Sequence, residues 1–406
     1  SIGSTEKQGI EHSGEYYYLL LPATLGGMVM ASSGDLITLF VGTELLSITS
    51  YILVGIRKKN LQSNEAAFKY LVTGSIASAM ILYGMSFLYG MTGSTNIAEI
   101  NTALHMAEPS FSGMIYISFF LMLAGFGFKI GAAPFHTWAP DVYQGAAAPV
   151  TAFLAVVSKA AALAVFFRVT YNIYYGVGSV ETPIYLDIFL AVNVVAAIAM
   201  ILGNAMALRQ KNMKRLLAYS GIANAGYLLV PLGVQFGTFH YDIFSEMFFY
   251  LAAYLFMNIG AFAVIMAVSR SAGHEQLSGF AGLYYRAPWT ALAMVILVLS
   301  LAGLPVTGGF FGKLYIMLGA LQVKEYWLAA VIIVTSVVSY YYYFGVIRQM
   351  FMRTGFSGNP FRLTAPLAIT IWLSAGVSLL MGFFPHWLLQ LIEQIFSLSG
   401  DLFIYS

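Results

Sequence analysis

Six side chains in this sequence have the chemistry to carry protons: Glu44, Lys69, Lys129, His136, Lys159 and Lys313. Glu44 and the four lysines fall within long apolar stretches, where an ionisable group costs about 2.5–3.5 kcal/mol to insert on translocon scales. Lysine is the basic side chain that gives up its proton most readily when water is withdrawn. A carboxylate beside it holds the proton on, and removing that carboxylate releases it. Glu44 and Lys69 read as such a switchable pair next to Lys129. Histidine is a natural intermediate carrier, and His136 stands seven residues beyond Lys129, about two helical turns on and on a similar side. In line with Lys159 and Lys313, these residues compose a proton path. The plainer readings are structural. A lysine near a span end snorkels to the interface, which suits Lys69 best, and a buried ion pair can simply fix packing. Neither explains ionisable groups placed deep on five different helices.

The composition says what kind of body must position them. Of 406 residues, 59% are hydrophobic and 9% charged, against about a quarter charged in a soluble domain. Net charge is +2, which argues against a nucleic-acid-binding surface. Cysteine is absent, so the chain has no disulfide, thiolate zinc site, Cys-ligated iron–sulfur cluster or Cys nucleophile. The histidines (His12, His105, His136, His240, His274, His386) are scattered and include no i,i+4 pair, so no metal site is expected. Nothing resembles a haem- or flavin-holding constellation; no cofactor is expected on this chain, and any redox chemistry belongs to another.

Apolar runs of twenty or more residues are long enough to span about 30 Å of hydrocarbon. The expected fold is all-α and polytopic, with eleven transmembrane helices near 16–33, 35–56, 65–90, 113–136, 149–175, 184–207, 214–234, 242–269, 288–322, 324–352 and 365–396. Residues 1–15 are polar, without an initiator Met or a signal-peptide core, and the chain reads as beginning after something else. With the side of Ser1 named side A, thirteen of the nineteen basic residues fall on side A: Lys7, Arg57, Lys58, Lys59, Arg209, Lys211, Lys214, Arg215, Arg270, Arg286, Arg348, Arg353 and Arg362. Side B has Arg168 and Lys324, and the remaining four are the lysines within spans. By the positive-inside rule side A is cytoplasmic, or stromal or matrix in an organelle.

Two spans are interrupted. One contains Gly125-Phe-Gly127-Phe-Lys129-Ile-Gly131-Ala-Ala-Pro134, the other Leu301-Ala-Gly303-Leu-Pro305-Val-Thr-Gly308-Gly309-Phe-Phe-Gly312-Lys313. Broken helices in corresponding positions of two halves indicate an inverted-repeat transporter with its site at mid-membrane. The organisation expected is a polar segment 1–15, a five-helix repeat 16–175, an inverted five-helix repeat 184–352, and a C-terminal helix and tail 365–406. A faint internal match agrees: Leu39–Val54 and Ala218–Val230 place Tyr51 and Tyr227 seven positions after Glu44 and Ser220. The stretch Gly308–Leu314 imitates a phosphate-binding loop, but its glycine spacing is one short and Leu replaces Ser/Thr after Lys. The run Tyr340–Tyr343 reads as lipid-facing or packing material ahead of a relay.

Several motifs are family-specific: Gly34-Asp-Leu-Ile-Thr-Leu-Phe-Val-Gly-Thr-Glu44, Asn64-Glu-Ala-Ala-Phe-Lys69, Phe128-Lys129-Ile-Gly-Ala-Ala-Pro-Phe-His136-Thr-Trp-Ala-Pro-Asp141-Val-Tyr, Pro149-Val-Thr-Ala-Phe-Leu-Ala-Val-Val-Ser-Lys159 and Gly309-Phe-Phe-Gly-Lys313. Over almost the whole chain the sequence resembles the antiporter-like subunits of the respiratory complex I family, most closely the subunit N type of proton-pumping NADH:quinone oxidoreductase. The resemblance implies a non-redox subunit of a translocase, moving protons while partner subunits hold NADH, FMN, iron–sulfur clusters and quinone. It implies proton-handling roles for Glu44, Lys69, Lys129, His136, Lys159 and Lys313. It also implies other membrane-arm subunits and lipid as partners and a bacterial inner membrane as location, with a thylakoid membrane as the alternative. Two departures stand out: members usually carry three more helices before the first span, and Gly145-Ala-Ala-Ala-Pro149 replaces a Gly-Ala-Pro-Thr-Pro loop. Rival memberships are a multisubunit Na⁺/H⁺ antiporter and the ferredoxin-dependent photosynthetic relative; the Asp141-Val-Tyr and Phe153…Lys159 context favours subunit N over the antiporter. A passive spacer would leave the deep charges unexplained.

Overall fold

The computed structural model describes residues 13–178, 183–234, 243–353 and 361–397. Lys7, His12, His240 and the tail from 398 onward lie outside the described residues. The described chain is helical: α1 (Ser13–Ser32), α2 (Leu36–Val54), α3 (Leu61–Thr92), α4 (Ile97–Ile130), α5 (Ala139–Gly145), α6 (Ala148–Phe153), a π-helical turn (Leu154–Ser158), α7 (Lys159–Tyr174), α8 (Ile184–Ala207), α9 (Met213–Gly233), α10 (Ile243–Ala272), α11 (Leu283–Arg286), α12 (Pro288–Ala302), α13 (Gly308–Gln322), α14 (Tyr326–Met352), α15 (Ala365–Phe383) and α16 (Pro385–Ser397). Among the described residues nine helices are long and apolar enough to cross a membrane, counting α6, the π turn and α7 as one. The chain is an all-helical polytopic membrane protein.

Local chemistry sets where these helices start and stop. The Asp35 carboxylate accepts from the amides of Ile37 and Thr38 and so caps α2, satisfying donors that a helix start leaves open. The Thr95 hydroxyl donates to the same carboxylate and, with those two amides, holds it below the usual Asp range against the opposing effect of burial. Asn60, Asn96 and Asn212 cap α3, α4 and α9 in the same way. The Asn96 cap starts α4 well before the hydropathy-based boundary at 113, and the helix is kinked at Phe111 (φ −126°, ψ 17°).

Helices pack closely where glycine removes the side chain, the usual device in membrane bundles. A Cβ on Gly26 of α1 would lie 2.5 Å from the Leu46 amide nitrogen of α2, and one on Gly203 of α8 would lie 2.5 Å from that of Ala223 on α9. Two ends of the bundle are defined by polar neighbours. At side A, Lys58 pairs with Glu15 at 3.3 Å, and Arg57, Gln144, Asn212, Arg270 and Glu275 line a cavity of about 550 Å³. At side B, Asn101 donates to the carbonyls of Ile173 and Tyr175, and Asp187, Gly233, Gln322 and Glu325 meet around a second cavity.

Both expected breaks are present and are built alike. Gly131 (φ 75°) closes α4, with its own amide and that of Ala132 bonded back to Gly127–Phe128; Gly303 (φ 83°) closes α12, with its amide and that of Leu304 bonded back to Leu299–Ser300. Only glycine enters this left-handed cap without strain. The expected ninth span thus resolves into α12 and α13, of 15 residues each, roughly 22 Å of rise and too short to cross singly. Val306, in the second break, holds φ 76°, a strained conformation for a β-branched residue. The expected span 365–396 likewise divides, at Pro385, into α15 and α16.

Candidate functional site

Lys129 is in the last turn of α4, just before the Gly131 cap, and is 8% exposed. Its ammonium donates to the hydroxyls of Ser47 on α2 and of Ser78 on α3, the latter at 3.2 Å. Ser78 in turn donates to the Glu44 carboxylate. Glu44 therefore reaches Lys129 through one shared hydroxyl, and the Tyr51 ring lies 6.0 Å from the ammonium. A carboxylate, a hydroxyl and an ammonium in series can exchange one proton over a short distance.

Lys69 is not part of this group. Its ammonium pairs with Glu65 one turn earlier and with Asp141 of α5, both at 2.8 Å, and the side chain is 45% exposed. The expected direct Glu44–Lys69 pair is replaced by two anchors, because Lys69 stands more than two turns from Ser78 along α3, towards side A. Arg215 at the start of α9 donates to the other Asp141 oxygen at 2.6 Å. Asp141 thus ties α5 to α3 and α9. Asp141→Asn should lower thermal stability by only about 1–2 kcal/mol, since the pairs are partly exposed; a differential scanning measurement on the purified complex checks it.

His136 also departs from expectation. It lies beyond the Gly131 cap, so the helical spacing that aligned it with Lys129 does not apply. It is half-buried, and its Nδ1 has no hydrogen-bond partner among the described residues.

Lys159 is the first residue after the π-helical turn Leu154–Ser158 and is 4% exposed. A π turn adds one residue to a helical turn and rotates the next stretch of helix about its axis, aiming Lys159 at α9 and α10. Its ammonium donates to the Gly221 carbonyl at 2.5 Å and approaches the Tyr254 hydroxyl at 3.4 Å. Lys313 on α13, 6% exposed, donates to the carbonyls of Leu301 and Ala302, freed where α12 ends, at 3.0 and 3.1 Å. It lies 4.6 Å from the centre of the Tyr227 ring.

Between these two lysines runs a buried polar network absent from the expected set. Tyr250 donates to Asn224, Asn224 to Ser220, and Ser220 bonds Tyr343; Tyr227 bonds Thr335 at 3.0 Å, and Tyr342 donates to Asn204 at 2.9 Å. Tyr342 and Tyr343 are therefore built into the interior, while Tyr341 is 73% exposed and suits the lipid-facing reading. The spacing Ser220, Asn224, Tyr227 on α9 and Tyr250, Tyr254, Asn258 on α10 is the signal that was available: polar residues on one helical face within apolar runs. Lys214, expected in a side-A loop, is instead in the first turn of α9, fully buried, 2.8 Å from Glu275 and 2.7 Å from the Ala146 carbonyl.

Residues 33–339 match the family model described as NADH:quinone oxidoreductase/Mrp antiporter, TM. The chain is 55% identical to the NADH-quinone oxidoreductase subunit N of Paenibacillus sp. (strain JDR-2), covering 99% of this chain and 78% of the relative. It belongs to the NADH-quinone oxidoreductase subunit N family. The subunit N of Brevibacillus brevis is 53% identical over 97% of this chain and 77% of its own length. Among solved structures, a chain of respiratory complex I from Thermus thermophilus is similar with a TM-score of 0.79 and 33% identity, covering 96% of this chain and 83% of that one. The family is that of a translocase subunit, and among the described residues no group of three or more His, Asp or Glu could hold a metal ion.

Proposed function

We propose that this chain moves protons across a bacterial inner membrane as a membrane-arm subunit of NADH:quinone oxidoreductase. The observation that carries the reading is Lys129, buried between two serines with Glu44 one hydroxyl away. In this reading Lys129, Lys159 and Lys313 are the carriers, Glu44 controls when Lys129 releases its proton, and Lys69 and His136 lie on the side-A approach. NADH, flavin, iron–sulfur clusters and quinone belong to partner subunits, whose quinone reduction drives the transfers. Ten crossings in two inverted five-helix halves, 16–175 and 184–352, with an eleventh near 365–396, fit the matching glycine-capped breaks and the matching Gly26/Leu46 and Gly203/Ala223 contacts. Side A is then cytoplasmic by the positive-inside rule.

Native purification with mass spectrometry tests the assembly: flavin and iron–sulfur subunits are expected, and a preparation containing membrane subunits alone would favour a cation antiporter. Glu44→Gln tests the switch. The amide keeps the shape and can still bond Ser78 but cannot hold a proton on Lys129, so activity should fall about two- to tenfold with assembly intact. Full activity from about pH 6 to 9 would leave Glu44 a structural residue only.

A further inference from the structure

We infer that Glu246 is the proton acceptor between Lys313 and side B, an inference that rests on the proton-transport reading above. Glu246 lies in the first turn of α10 and is 4% exposed. Contacts along α10 and α13 fix how the two helices face each other. Gly309 packs on Met257, Gly308 on Ala253, Gly312 on Tyr250, and a Cβ on Gly319 would stand 3.3 Å from Glu246 Oε2. From Gly309 to Gly319 the partners on α10 fall from Met257 through Tyr250 to Glu246, so the helices run antiparallel with a glycine-rich strip of α13 against one face of α10. Lys313 comes directly after the Gly312–Tyr250 contact. Glu246 is one turn from Tyr250 on α10, towards side B, where α13 ends beside the cavity lined by Gln322, Val323 and Glu325. Lys313 and Gly319 are six residues apart, roughly 9 Å of helix rise. The Lys313 ammonium is held at the break by the Leu301 and Ala302 carbonyls, so waters along the α10–α13 interface would have to carry the proton from there to Glu246.

A carboxylate near a helix N-terminus is favoured by the helix dipole, and an outward-facing side chain would serve that purpose. Here the carboxylate is buried and turned inward onto α13 at Gly319, and a buried ionisable residue on a membrane helix is a functional candidate. Its place on α10 is one turn before Tyr250 and two before Tyr254, so one helix face joins the surroundings of Lys159, those of Lys313 and side B. In the transfer, the Lys313 ammonium loses a proton and the Glu246 carboxylate becomes a carboxylic acid. The acid then passes the proton to water on side B and returns to carboxylate, and the neutral Lys313 amine takes up the next proton arriving from the Lys159 side, so that the chain ends the cycle as it began.

The test uses the whole complex in sealed vesicles, with Glu246→Gln, Glu246→Asp and Lys313→Met compared with wild type. Glu246→Gln should reduce quinone reduction and coupled proton translocation together by about tenfold, and Glu246→Asp should restore most of both. Glu246→Gln at wild-type stoichiometry and rate, with Lys313→Met defective, would overturn the role of Glu246 while leaving the lysine path standing. If Lys313→Met is also unaffected, the path itself fails and the Glu246 assignment with it. Should Glu246→Gln not assemble, the wild-type complex decides. Dicyclohexylcarbodiimide adds to protonated carboxyl groups in apolar surroundings, and peptide mapping should find it on Glu246 during turnover. Full peptide coverage without that adduct would overturn the assignment.

Discussion

Lys129→Ala should abolish proton translocation and reduce quinone reduction by about 10²-fold, the scale of losing one well-placed proton-transfer group. The substitution removes the ammonium that touches both Ser47 and Ser78, leaving Glu44 with a hydroxyl partner and no carrier. Lys129→Arg separates charge from proton transfer. A guanidinium keeps the positive charge beside Glu44 but does not deprotonate at working pH, so it should fail nearly as badly. A complex carrying Lys129→Ala that acidifies vesicles at wild-type stoichiometry would sink the assignment. One carrying Lys129→Arg that does so would reduce Lys129 to a counter-charge.

What is legible in the sequence, and what is not, has physical causes. Apolar runs and loop charges are properties of composition, so the membrane class and most of the spans can be read directly. The breaks are legible because glycine and proline mark backbone positions locally, and Gly131 and Gly303 do adopt the left-handed caps they suggest. The misplaced histidine depends on one of those same caps. Helical periodicity aligns His136 with Lys129, but the helix ends at Ile130, and a single left-handed residue cancels any spacing argument across it. The Glu44–Lys69 pair fails for another reason. Sequence shows which residues are ionisable, whereas pairing depends on height within the bundle, and Lys69 sits at the level of Glu65 and Asp141. Ser47 and Ser78 give no signal of their own, since hydroxyls are ordinary in membrane helices. The π turn before Lys159 carries no glycine or proline to announce it. The polar faces of α9 and α10 are visible in their spacing once uncharged residues are weighed as carriers alongside charged ones.

Lys159→Met should cost almost as much as losing Lys129, because Lys159 joins α7 to the polar network on α9 and α10. It stands on α7, yet both its polar contacts, the Gly221 carbonyl and the Tyr254 hydroxyl, belong to α9 and α10. Methionine fills a similar volume without charge or donor, so packing should survive while transfer from α7 to α9 and α10 does not. Coupled translocation is expected to fall about tenfold or more, with the complex still assembled. The rival role is a fixed cation that only binds the Gly221 carbonyl and faces the Tyr254 ring, 5.2 Å away. Lys159→Arg distinguishes the two, since arginine serves a carbonyl and an aromatic face well but cannot release a proton. Restored pumping in Lys159→Arg would make Lys159 a structural cation; loss in both variants, with Tyr254→Phe milder than either, is the result expected of a carrier that hands its proton from α7 to the network on α9 and α10.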